Sequence, residues 1–206
     1  MNALLTCWLG TALATPLYLR ADVVHTVSGD PIDNGAVIVD DGKILAVGPA
    51  ASLAIPEDAW VLSGAVLTPG LIDGWTTAGL TGPLNSSGDQ DHAESDHAVD
   101  PALRALDGYH PRDPLLGWLR GLGVTTLHAG PSPGQPVSGR TFIAENRVAS
   151  VDEIALKDDA FVVFSLGEQP KNRFGSQGSA SRMGNAATIR QALEDARDYA
   201  TRRALP

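Results

Sequence analysis

The chain has 206 residues, 43% of them hydrophobic and 19% charged, which is enough to bury one large core or two modest ones and makes wholesale disorder a poor expectation. Twenty-four acidic against fifteen basic residues leave a net charge of −9, and no Lys/Arg cluster stands out, so nucleic acid is not an expected partner. The single cysteine, Cys7, excludes a disulfide within this sequence and a cysteine-based metal centre.

The first predicted element is an uncharged apolar run from Ala3 to Ala14. It ends in Ala12-Leu13-Ala14, the small-x-small form of a signal-peptidase site. Its twelve residues are too few to span a bilayer as a helix. Residues 1–16 are therefore read as a signal peptide or leader, with a periplasmic or secreted protein as the consequence. No basic segment precedes the run, which keeps open a truncated start or a buried first segment, and with them a cytoplasmic protein.

Residues 17–67 read as short strands with turn signals. Leu17 to Val27 mixes β-branched and polar residues, and Ala36 to Val39 and Ile44 to Val47 flank the tight-turn composition Asp40-Asp41-Gly42-Lys43. Trp60 to Leu62 and Ala65 to Leu67 add a further strand. The expectation is a small antiparallel β-sandwich subdomain.

Beyond Pro69 the pattern changes to strand, loop and helix. Pro114 to Leu122 places Leu115, Leu116, Trp118, Leu119 and Leu122 at helical spacing, and Val124 to His128 follows as a strand. Phe161 to Leu166 is a continuous apolar run, as expected of a strand covered on both faces in a parallel sheet. In the helix predicted from Ala187 to Ala204, Ile189, Leu193, Ala196 and Ala200 recur at steps of four, three and four. Strands alternating with helices make the fold class α/β.

The run Leu67-Thr68-Pro69-Gly70-Leu71-Ile72-Asp73, followed by Gly74-Trp75-Thr76-Thr77, resembles the signature of the amidohydrolase superfamily. There a Pro-Gly-Leu-Ile-Asp segment leads into a His-x-His metal pair at the end of the first barrel strand. The two histidine positions here are Trp75 and Thr77. An indole N–H only donates a hydrogen bond, and a threonine hydroxyl is a poor ligand beside imidazole. Asp100 to Gly108, Leu122-Gly123-Val124-Thr125-Thr126 and Leu166-Gly167-Glu168-Gln169-Pro170-Lys171 are similar to the imidazolonepropionase-like and dipeptidase branch.

The resemblance implies a β-sandwich joined to a (β/α)8 barrel, and hydrolysis of an amide or other C–N bond with one or two divalent metals. Residues 68–206 then hold the first βα units of a partial (β/α)8 barrel, about three of its eight strands. The family's later ligands would lie beyond Pro206. Zinc is the metal expected, since it acidifies a bound water and polarises a carbonyl.

Glu168 matches the glutamate of the family's Gly-Glu-Asn-Pro-Lys element and is the residue expected to ligate the metal; the alternative is a loop carboxylate paired with Lys171 or Arg173. His128 ends the Val124–His128 strand, where catalytic groups of a barrel converge, and is the catalytic candidate; a hydrogen-bonded core histidine is the alternative. Asp73 is usually structural in the family. Lys157, the one nearby lysine for carbamylation, sits among carboxylates and reads as a solvated turn. His92, Glu94, Asp96 and His97 crowd the loop after the first barrel strand without a spacing that makes them converge. Arg140 could grip a substrate carboxylate, or be an ordinary surface arginine.

Two functions follow. The first is a metal-dependent amidohydrolase with an atypical first metal shell, acting on a small-molecule substrate. The second is a catalytically dead amidohydrolase-like binding protein. As a fragment the chain is expected to be inactive and to form homo-oligomers through unpaired strand edges.

Overall fold

A computed structural model describes residues 15–84 and 86–204. The expected leader falls almost wholly outside them. The chain divides into two compact units, one ending at Pro69 and the other beginning at Gly70.

The first unit is one four-stranded sheet built from β1 (Leu17–Val24), β2 (Ile32–Asp40), β3 (Lys43–Pro49) and β4 (Trp60–Leu67), in the order β3-β2-β1-β4. Strands β2 and β3 form a hairpin over Asp41-Gly42, both at positive φ (47° and 70°), the backbone twist that a two-residue hairpin turn requires. The sheet is not purely antiparallel as expected. Strand β4 runs parallel to β1, with Leu17 opposite Trp60 and Val24 opposite Leu67. Residues 50–59 carry the chain back past β1, so the strand re-enters in the same direction. A small apolar cluster of Ala21, Val24 and Val37 holds one face. The edge strand β4 leaves Trp60, Val61, Leu62 and Val66 exposed. Of the expected β-sandwich, the described residues of this unit supply one sheet layer.

The second unit begins with β5 (Leu71–Thr76), which pairs in parallel with β6 (Val124–Ala129). Between them lies α1 (Pro114–Gly121). Pro114 opens this helix, where its missing N–H costs nothing, and the Asp113 carboxylate caps it by accepting the Leu115 N–H at 2.8 Å. Of the predicted apolar stripe, Leu116 is buried and Trp118 is 63% exposed. Burying one leucine contributes roughly 1.5–3 kcal/mol. Leu116 packs into the main core with Leu80, Tyr109, Leu127, Ala129, Phe142, Ala144 and Ile154.

From here the fold departs from a run of βα units. Strands β7 (Val137–Arg140) and β8 (Phe142–Glu145) are one extended segment that changes sheet at Thr141. Strand β8 is antiparallel both to β6 and to β9 (Ala155–Lys157), which follows the single turn α2 (Val151–Ile154). Strand β10 (Val162–Phe164) pairs antiparallel with β7. The apolar run around β10 is therefore not a strand covered on both faces. Side chains alternate across a strand, so Val163 and Ser165 turn inward while Val162, Phe164 and Leu166 are exposed.

Two helices follow, α3 (Glu168–Phe174) and α4 (Arg182–Arg203). Helix α4 is longer than predicted, capped by the Ser181 hydroxyl, and from Leu193 onward every residue described is exposed. Its weak apolar stripe of mostly alanines offers little to bury. The described residues thus form a mixed α/β fold with several sheets, in which no closed barrel occurs.

Candidate functional site

The C-terminal ends of β5 and β6 lie side by side, because Asp73 pairs with Leu127 and Thr76 with Ala129 in the parallel register. This brings Gly74 and Trp75 against His128. The His128 ring contacts the Gly74 carbonyl through Nδ1 at 2.9 Å and the Thr141 hydroxyl through Nε2 at 2.7 Å. Trp75 meets the ring edge-on, with centroids 5.4 Å apart and planes at 89°, and Phe161 lies tilted at 5.3 Å. Thr141 is fully buried at the sheet switch and also accepts the Phe161 N–H at 3.1 Å. Asp73 plays a local part, its carboxylate accepting the Trp75 N–H at 3.2 Å in a turn.

Glu168 is elsewhere in chemical terms. It is the first residue of α3 and exposed, and its two oxygens are shared between Lys171 at 2.5 Å and Arg182 at 2.9 Å. The Lys171 hydrogen bond first, then that of Arg182, holds its carboxyl below the ordinary range. Of the two expected cations, Lys171 is found and Arg182 takes the place of Arg173.

The remaining expected groups serve the protein itself. Arg140 reaches Asp159 at 2.8 Å and the Ala102 carbonyl at 3.1 Å, which spends its guanidinium fork internally. Lys157 ends β9 and is exposed. In the loop, Glu94 accepts the N–H groups of Ser95 and Asp96, which keeps it ionised to lower pH than usual, and His97 lies 3.6 Å from Asp100. The His92 imidazole is pushed down in pKa by burial and then by Arg173. The loop is not loosely hydrated. Gln135 donates to the His97 carbonyl at 2.8 Å, and Gln177 accepts the Ala98 N–H at 2.9 Å. A cavity of about 170 Å³ lined by Asp91, His92, Glu94, Arg104 and Ser138 includes neither His128 nor Glu168.

A zinc site needs three or four nitrogen, sulfur or carboxylate donors converging within about 2.3 Å of one point. Among the described residues no group of three or more His, Cys, Asp and Glu side chains meets that demand. Trp75 and Thr77 supply no strong donor, Glu168 is clamped by cations, and both His128 nitrogens are hydrogen-bonded. The donors among the described residues do not by themselves make a site for the metal that the resemblance implies. Thr141, Arg182, Gln135 and Gln177 were not singled out by sequence reasoning; nothing local in their neighbourhoods marks the long-range contacts they make.

No family profile matches the chain. The protein described as "Amidohydrolase tasK" of Hapsidospora irregularis is 29% identical over 180 residues, which cover 79% of this chain and 18% of that protein. The crystal structure of an amidohydrolase from Thermotoga maritima MSB8 superposes with a TM-score of 0.81 at 28% identity, covering 91% of this chain and 49% of that one. The fold is thus of the amidohydrolase kind. Over the part that it spans, the chain is related to the amidohydrolase superfamily, and it spans about half or less of the length of either relative.

Proposed function

We propose that the chain is part of a hydrolase that cleaves an amide or other C–N bond of a small-molecule substrate, water adding to the carbonyl carbon and the amine leaving with a proton. The observation that carries the reading is the superposition of nearly the whole chain on a solved amidohydrolase. In this reading β5 and β6 are the opening strands of a partial (β/α)8 barrel, and their C-terminal ends, at Trp75 and His128, lie on the side where such barrels do chemistry. A divalent metal, zinc by the resemblance, belongs to the reading only with donors beyond those described here. Glu168 is the carboxylate that this segment would offer it.

A second reading, an amidohydrolase-like binding protein without catalysis, is favoured by one specific observation, the indole of Trp75 packed on His128 where the resemblance implies a metal pair. The two separate in an assay of the full-length protein against a panel of N-acyl amides, following amine release, with Glu168→Ala alongside. Release above the buffer blank supports the hydrolase. Its loss in the variant supports Glu168, full retention removes Glu168 from the site, and a silent panel with a correctly folded protein favours the binding reading.

A further inference from the structure

Each nitrogen of the His128 ring has a partner, and in the neutral ring the partners select which one carries the proton. A carbonyl oxygen only accepts, so Nδ1, 2.9 Å from the Gly74 carbonyl, carries a proton. The Thr141 hydroxyl has one proton and two lone pairs. One lone pair takes the Phe161 N–H at 3.1 Å. The Phe161 carbonyl, which accepts the Thr141 N–H at 2.9 Å, is 3.4 Å from the hydroxyl, a weaker contact than the 2.7 Å to Nε2. The hydroxyl proton therefore belongs in the 2.7 Å contact with Nε2, whose lone pair it occupies. Trp75 and Phe161 flank the same ring.

We infer that His128 is a locked strut, an Nδ1–H imidazole that ties β5 to the junction of β7 and β8 and is withheld from metal, with Trp75 covering the flank where the amidohydrolase resemblance implies a ligand pair. Where the resemblance implies two donors this chain has an indole and an alcohol, and the lone pair of the neighbouring imidazole is spent on Thr141. An Nδ1–H histidine with a free Nε2 is a good zinc ligand; one that already accepts from a buried hydroxyl must break that bond first. The inference goes beyond hydrolysis and does not depend on it, because it is read from the ring nitrogens and from metal binding.

The test is a two-bond ¹H–¹⁵N histidine spectrum at pH 8 on the full chain and on Thr141→Val, with His128→Gln to assign the signal, each without and with one equivalent of Zn²⁺. The wild-type His128 should show the pure Nδ1–H pattern and keep it when zinc is added. In Thr141→Val it should become a tautomer mixture that shifts with zinc. Calorimetry of the double variant Trp75→His/Thr141→Val should show zinc bound at least tenfold more tightly than by the wild type. An Nε2–H pattern in the wild type, a zinc-induced shift of its His128, or a folded double variant no tighter than the wild type would each overturn the inference. Should a variant fail to fold by circular dichroism, the wild-type spectra decide alone.

Discussion

Glu168 and Arg182 face each other across 2.9 Å, so the first turn of α3 is clipped to the first turn of α4. Lys171 takes the other carboxylate oxygen at 2.5 Å. A carboxylate held in this way is an anchor between two helices before it is anything else, and a metal would have to compete with two cations for it.

That competition can be read in a titration. The Lys171 hydrogen bond, followed by that of Arg182, lowers the Glu168 pKa from its ordinary value of 4.5. A folded pKa below the unfolded one contributes stability that is present above the unfolded pKa and is lost as the pH falls through the folded value. The ¹³C carboxyl signal of Glu168 should titrate below 4.5 in the wild type and move upward in Lys171→Ala. Because the group is exposed, 0.5 M salt should move it the same way. A wild-type midpoint at or above 4.5 would show the ion pairs absent in solution.

Asn146 is the buried polar residue that joins α1 to β6. Its amide donates to the Leu116 carbonyl at 3.1 Å and the Val124 carbonyl at 2.9 Å, and its oxygen accepts from Arg120 at 3.1 Å. Asn146→Ala strands the Val124 carbonyl and leaves the Leu116 carbonyl only its bond within α1, without removing the backbone bond from Asn146 N–H to the Thr125 carbonyl. The expected loss is about 1–3 kcal/mol, the cost of one buried acceptor left unpaired. Urea unfolding followed by tryptophan fluorescence measures it. A loss below about 1 kcal/mol would mean that water replaces the side chain there.

The strands and helices that sequence made legible are those with local cause. The Asp41-Gly42 turn, the Pro114 helix start and the Val124 strand were each announced by residues within a few positions. What sequence concealed was pairing. Nothing in Trp60 to Leu67 says that it lies parallel to β1, and nothing in Phe161 to Leu166 says that its partner is antiparallel with one face open, because an apolar run is the same string in either sheet. At the candidate site the loss of donors at Trp75 and Thr77 was plain from the motif. The occupation of His128 by Thr141 was not, since the two are thirteen residues apart and meet only through the β6–β8 register.

His92 gives the chain a pH dependence of the opposite kind to a paired histidine. Burial, then Arg173, lowers its pKa from 6.5, against a smaller raising effect of Asp91. Between the lowered folded value and 6.5 the unfolded chain binds more protons, so stability rises with pH across that window and falls as the solution is acidified below 6.5. His92→Gln should flatten this slope. Unfolding midpoints at pH 7.5, 6.5 and 5.5 for wild type and variant measure it, and equal slopes would mean that the His92 pKa is the same in the folded and unfolded chain.

Gly79 tests whether the packing around Tyr109 carries energy. It sits at φ +84°, and a Cβ there would overlap the Tyr109 ring, which in turn packs edge-on against the fully buried Phe142 with centroids 4.8 Å apart. Gly79→Ala therefore meets two penalties. The left-handed backbone costs about 1–2 kcal/mol for a residue with a Cβ. Displacing Tyr109 forfeits an aromatic pair of about 0.5–1.5 kcal/mol and some of the packing beneath it. Gly42→Ala separates the two, because Gly42 is also left-handed, at φ +70°, but a Cβ there meets nothing within 4 Å. Gly79→Ala should cost about 2–3 kcal/mol and Gly42→Ala about half of that, each measured by denaturant unfolding. Equal losses at the two glycines would mean that backbone strain alone is felt and that Tyr109 yields to the added methyl without cost.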